Sequence, residues 1–216
     1  MKLKVIVTGA SGMVGEGVML TCLDHPDVEQ VLVVGRRPCG HTHPKLKEII
    51  HKDFYDLAPI KDQLTGYDAC YFCLGTSSVG VNEADFTKVT YTLTMHVANT
   101  VVNPGMTFTY VSGAHTNANG KQMWQRVKGK TEDDLMKLHF KQVFAFRPGG
   151  MTIVPGQKNQ PKVYNFLGWL FPVIKIFSSN SVSMLADVGR AMINVTKNGY
   201  SKKILEVSDI NKVGKL

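Results

Sequence analysis

The residues with the clearest chemical capacity stand at the start of the chain. Lys4-Val5-Ile6-Val7 is a short apolar run that ends in Thr8-Gly9-Ala10-Ser11-Gly12-Met13-Val14-Gly15, and apolar residues then recur through Cys22. This order reads as a strand, a tight turn and a helix start. Such a turn aims backbone N–H groups and the positive end of a helix at one point, which suits a pyrophosphate. Gly9 can take a backbone angle closed to residues with a Cβ, Gly12 lets phosphates approach the main chain, and Gly15 lets the helix pack tightly. Gly9, Ser11, Gly12, Met13, Val14 and Gly15 are therefore the expected dinucleotide cradle. The competing reading is a Gly-rich turn that binds nothing.

The end of the second strand bears on which dinucleotide. In NAD-binding versions of this loop an acidic residue about 20 positions beyond the glycines holds the ribose 2′-hydroxyl. Here the chain reads Val33-Val34-Gly35-Arg36-Arg37-Pro38, with no carboxylate. Two guanidinium forks match a phosphate instead. NADP is thus expected ahead of NAD, unless Arg36 and Arg37 are merely solvated loop charges. Asp53 and Phe54, after the third strand, are placed to meet the adenine edge, and Asp53 is equally suited to capping a surface turn.

The elements that must position these residues are legible as alternating apolar runs. Strand-like runs fall at 5–7, 31–34, 48–51, 69–74, 108–111, 143–146 and 204–207, and helical patterns at 14–22, 57–64, 84–102, 122–138 and 184–195. Strands alternating with helices predict an α/β fold, a doubly wound parallel sheet of the Rossmann type. Turn signals such as Asn103-Pro104-Gly105 and Pro148-Gly149-Gly150 support the divisions. Ser183 is a plausible N-cap and Gly199 a plausible C′ residue for the last long helix. Residues 151–182 break the alternation and predict a loop plus a short apolar helix, a lid or substrate wall over the carboxyl end of the sheet. A packing helix or a dimer face is the plainer alternative.

With 216 residues and 44% hydrophobic content, the chain suits one such domain over 1–216. The first strand leaves no room for a signal peptide, and the apolar stretch 163–177 is too short and interrupted to span a bilayer. Those features predict a cytoplasmic location and no membrane span. The net charge is +8. The basic residues are scattered without a stacking platform, so nucleic acid is not the expected partner. A small-molecule substrate of unknown identity is expected, with a homodimer or protein partner open. Cys70 and Cys73 spell CxxC within a strand-like run, where positions three apart face opposite ways, so they read as core thiols. His41-Thr42-His43 after Cys39 lacks further ligands at sensible spacing, so no metal is expected. Glu132-Asp133-Asp134 reads as a solvated helix face.

Taken in order, the glycine loop, Cys73-Leu74-Gly75-Thr76, Val111-Ser112, Val127-Lys128-Gly129 and Phe146-Arg147-Pro148-Gly149 resemble the atypical branch of the short-chain dehydrogenase/reductase superfamily. The resemblance implies a bound NAD(P) and hydride chemistry on a small carbonyl or alcohol. It implies that Leu74, Gly75 and Thr76 contact the cofactor and that Arg147, Pro148 and Gly149 flank its nicotinamide end. The family's catalytic unit is a Ser followed by Tyr-x-x-x-Lys on one helix. Residues four apart share a helix face, so the ammonium lowers the tyrosine pKa. Ser112 and Lys128 are present, the latter also expected on the ribose, but Trp124 holds the tyrosine position. An indole N–H only donates and does not titrate usefully in water. The substitute proton sources in the sequence are His115, in the loop after the fifth strand, and Tyr110, which reads as core. If neither serves, the chain is a non-catalytic NADP(H)-binding regulator or scaffold.

Overall fold

A computed structural model describes residues 2–159 and 182–216. Each of the seven apolar runs became a strand: β1 (Leu3–Thr8), β2 (Val28–Gly35), β3 (Leu46–Ile50), β4 (Ala69–Phe72), β5 (Thr107–Val111), β6 (Gln142–Arg147) and, after two short strands, β9 (Ile204–Glu206). They form one sheet in the order β3-β2-β1-β4-β5-β6-β9. Its pairings are parallel, with Thr8 facing Val34 on one side and Phe72 on the other. The central runs are almost continuously apolar because both faces are covered. One face packs Val5, Val7, Tyr71 and Phe144 against α1 (Met13–Asp24) and the long helix Leu185–Asn198. The other packs Ile6, Leu32, Phe72 and Phe108 against the 3₁₀ turn Ala58–Leu64 and later helices.

The predicted helix over 84–102 is divided. α2 (Glu83–Thr87) passes through a π segment, Lys88–Thr92, into α3 (Leu93–Val101). α4 (Met123–Leu135) follows β5. Leu185–Asn198 is α5 here, and Val207–Val213 is α6. Gly199 ends α5 at φ 70°, as its sequence position suggested. Ser183 does not cap that helix. It is buried in β8 (Val182–Met184), which pairs in parallel with β7 (Gly150–Thr152) in a separate two-stranded sheet. Three-residue strands carry no readable alternation, which is why the sequence placed both ends of 151–182 in a lid. The short apolar helix expected there, around 163–171, lies outside the described residues. No helix among those described is long and apolar enough to cross a membrane.

Strand order reverses at β1, whose neighbours are β2 and β4. Open α/β sheets bind ligands outside the carboxyl ends of strands at such a point. The glycine turn, Arg36, Leu74–Thr76, Ser112 and Pro148–Gly149 all follow strand ends on this one edge, and Arg147 ends β6 beside them.

Candidate functional site

The glycine turn is built as its spacing requires. Gly9 has φ +74°, and a Cβ there would lie 2.7 Å from the Cys73 carbonyl oxygen. A Cβ on Gly15 would lie 2.3 Å from the Gly9 carbonyl oxygen, so the helix could not cross the turn with any side chain there. Gly12 differs. It is exposed, serves as the N-cap of α1, and donates its N–H to Gly9 O at 2.9 Å. Among the described residues, no side chain caps this helix. The N–H groups of its first turn are therefore left for an anion, so the residues present fit a dinucleotide pyrophosphate.

Beside the turn opens a cavity of about 320 Å³ lined by Arg36, Lys52, Asp53, Phe54, Tyr55, Leu74, Gly75, Thr76, Val89 and Leu93. Six residues expected on the cofactor from separate stretches thus share one cavity. Arg37 is exposed and does not line it. The Asp53 carboxylate accepts the Tyr55 N–H at 2.9 Å, so it caps a turn while lining the cavity. Sequence reasoning missed Lys52. A lysine adjoining Asp53 carries no spacing signal, and only the parallel β2–β3 pairing brings it into the same cavity as Arg36.

At the next strand end, α4 delivers Lys128 to β5. The Lys128 ammonium donates to the Ser112 carbonyl oxygen at 3.1 Å and lies 5.7 Å from the Tyr110 ring centroid. Burial pushes Lys128 down to about 8, against an upward pull from Glu132. Burial holds the Tyr110 phenol well above its ordinary range, so Tyr110 is a core residue, as read. The Ser112 hydroxyl is buried and lies 3.0 Å from that of Thr116, which donates to Gly113 O at 2.8 Å. Trp124, one turn before Lys128, is half-buried. Gln122 and Gln125 form a capping box at the start of α4, and the Gln125 amide also donates to the His115 carbonyl at 2.9 Å. His115 itself has φ +66°, a left-handed angle uncommon for a residue with a Cβ. His115 is exposed and, with Ala114, Gly149, Gly150, Glu206, Val207 and Ser208, lines a second cavity of about 500 Å³.

Two readings change here. Glu132 is not solvated: it is 2% exposed and grips Arg147 through two bonds, Nε at 3.0 Å and Nη2 at 2.5 Å. Only Asp133 of that acidic run is exposed, while Asp134 joins Lys130, Lys137 and Tyr91. Arg147 Nη1 reaches Glu206 at 2.9 Å, so its guanidinium is committed to two carboxylates. Pro148 is buried, and its carbonyl accepts the Ala114 N–H at 3.1 Å, tying the β6 end to the β5 loop.

Glu16, in the first turn of α1, is fully buried. Its carboxylate lies 2.6 Å from His41 Nε2 and accepts the Lys158 and Asn159 N–H groups at 2.8 and 2.7 Å. Gln157 donates to Met13 O at 2.7 Å. Residues 154–159 thus strap the helix start. His41 serves this strap, and Cys39 and Cys70 are buried free thiols.

Residues 5–141 match the family described as NAD dependent epimerase/dehydratase. "Protein FMP52-1, mitochondrial" of Scheffersomyces stipitis is 26% identical over 206 residues, covering 91% of this chain and 89% of that protein. "Protein FMP52, mitochondrial" of Candida albicans is 25% identical over 214 residues, covering 92% and 90%. The fold is similar to that of the Bordetella bronchiseptica enzyme WbmG, solved in complex with NAD, with a TM-score of 0.70, 11% identity and coverage of 99% and 77%. That likeness is one of fold alone. The relatives' names overturn the expected cytoplasmic location, since both are named as mitochondrial proteins.

Proposed function

The chain belongs to the NAD dependent epimerase/dehydratase family, and on that premise we propose that it is an NADP(H)-dependent oxidoreductase of the atypical short-chain type, acting on a small carbonyl or alcohol. The observation that carries this reading is the uncapped start of α1 opening beside a cavity with two cations, Arg36 and Lys52, at its lining. The bound dinucleotide would supply or accept the hydride. Residues Gly9 to Gly15 hold its pyrophosphate, Arg36 and Lys52 its 2′-phosphate, and Asp53, Phe54, Leu74, Gly75 and Thr76 its adenosine side. Pro148 and Gly149 border the nicotinamide end. Lys128 reaches the neighbouring ribose, and the Ser112 hydroxyl orients the substrate oxygen once it leaves Thr116. The relatives' names support a mitochondrial setting. Parallel fluorescence titrations with NADPH and NADH test the cofactor assignment. NADPH should bind at least tenfold more tightly, and comparable affinities would sink it.

Trp124 favours a second reading, a non-catalytic NADP(H)-binding regulator. This reading expects tight NADPH binding and no turnover of any carbonyl in a broad panel. If Trp124→Tyr creates turnover that the parent lacks, the regulator reading stands. Turnover by the parent removes it.

A further inference from the structure

We propose that Lys128 is itself the acid–base group of this site, moving the proton that a tyrosine would otherwise handle; the assignment rests on the oxidoreductase reading above. Among the described residues, geometry leaves few other groups. Trp124 fills the helical position one turn before Lys128 and has no proton to exchange at neutral pH. Tyr110 lies under the Lys128 ammonium in the core, its phenol held far above neutrality by burial. His115 is exposed and lines the second cavity with Gly149, so it is the competing proton source, and reduction at the parent rate by Lys128→Arg would point to it.

Lys128, by contrast, enters the strand edge at Ser112, and among the described residues it donates to the Ser112 carbonyl at 3.1 Å. An ammonium has three N–H groups, so two remain to meet a ligand. Among the described residues, the charged group that acts on it is Glu132, on its own helix. The Arg147 fork holds Glu132 in a bidentate pair, so that carboxylate is not a direct partner of Lys128. Burial then keeps Lys128 close enough to neutrality to hold and release a proton.

In carbonyl reduction, hydride that bound NADPH would supply, leaving NADP⁺, adds to the carbonyl carbon and the C=O π pair moves to oxygen. That oxygen takes a proton from Lys128 Nζ, leaving a neutral amine that water re-protonates. Alcohol oxidation runs the same transfers backwards, with neutral Lys128 as base.

Reductive methylation with ¹³C-formaldehyde makes each lysine visible by NMR, and the Lys128 signal is the one absent from Lys128→Arg. In the cofactor-free protein it should titrate near 8, while exposed lysines titrate at about 10. Single-turnover carbonyl reduction should slow as pH rises through the same midpoint. Lys128→Arg keeps its charge at all working pH values. Its NADPH affinity should fall far less than its reduction rate, which should drop about 100-fold or more. A Lys128 signal titrating with the others overturns the proposal, as does a Lys128→Arg variant that reduces carbonyls at the parent rate. Failure of the parent to bind NADPH overturns the oxidoreductase reading and this proposal together. NADPH binding with an ordinary Lys128 midpoint overturns this proposal alone.

Discussion

Three glycines in one turn face three different demands, and single methyl groups can separate them. A Cβ at Gly15 would meet the Gly9 carbonyl carbon at 2.4 Å and its oxygen at 2.3 Å, both backbone atoms that cannot move aside. Gly15→Ala should therefore cost about 1–3 kcal/mol or more by overpacking, read as a lower urea midpoint. At Gly12 the nearest such atom is 3.4 Å away, an ordinary contact. Gly12→Ala should leave the urea midpoint near the parent's and weaken NADPH binding, because its methyl occupies the approach to the helix N–H groups. Equal loss of stability in both variants would show that Gly12 is structural. These glycine roles were legible because backbone demands follow local spacing. The role of Glu132 was not, because its partner Arg147 is on another element. Breaking that buried pair by Arg147→Met should cost about 3–5 kcal/mol, whereas Arg147→Met with Glu132→Met should recover much of it. Denaturant unfolding of the two variants checks this, and equal losses would mean the ion pair matters beyond its own charge balance.

At the scale of elements, the strap from 154 to 159 makes the start of α1 sensitive to acid. Burial alone would raise the Glu16 carboxyl, but His41 and the Lys158 and Asn159 N–H groups outweigh it and hold the pKa below its ordinary value. A carboxylate depressed in the folded state stabilises above its unfolded pKa of about 4.3 and loses that contribution as pH falls through the folded value. Unfolding free energy should therefore decline below about pH 5 in the parent. In Glu16→Gln that decline should be shallower, after a loss of about 1–3 kcal/mol at neutral pH from mispaired buried donors. An identical acid limb in both proteins would remove Glu16 from the explanation. The sequence showed the seven sheet strands because most are short apolar runs, and most of the helices because their apolar residues recur at helical spacing. It did not show the strap, the β7–β8 pair or the π segment at Lys88–Thr92. Each of these is fixed by contacts with distant residues rather than by a period of its own. The π segment has a consequence at the site, since Val89 within it and Leu93 just after it line the cavity beside Arg36.

For the whole molecule, parallel pairing draws the strand ends onto one edge, and cofactor choice becomes a property of residues far apart in sequence. Arg36 follows β2 and Lys52 follows β3, and both are exposed, so neither contributes much to folding. Ligand binding to the native state stabilises it by about 2.7 kcal/mol at one hundred times Kd. For a domain of this size each kcal/mol raises Tm by about 2–4 °C. NADPH at that ratio should then raise Tm by about 5–11 °C, and NADH at the same concentration by clearly less. The paired change Arg36→Ala with Lys52→Ala should leave the cofactor-free Tm unchanged, because it removes no buried contact. It should also bring the two cofactor shifts together, mainly by lowering the NADPH shift, since the lost cations attract only the 2′-phosphate. A preference for NADPH that survives the double variant would place 2′-phosphate recognition elsewhere, with the exposed Arg37 the next residue to change. A fall in the cofactor-free Tm would instead mean that these two cations support the β2–β3 edge itself.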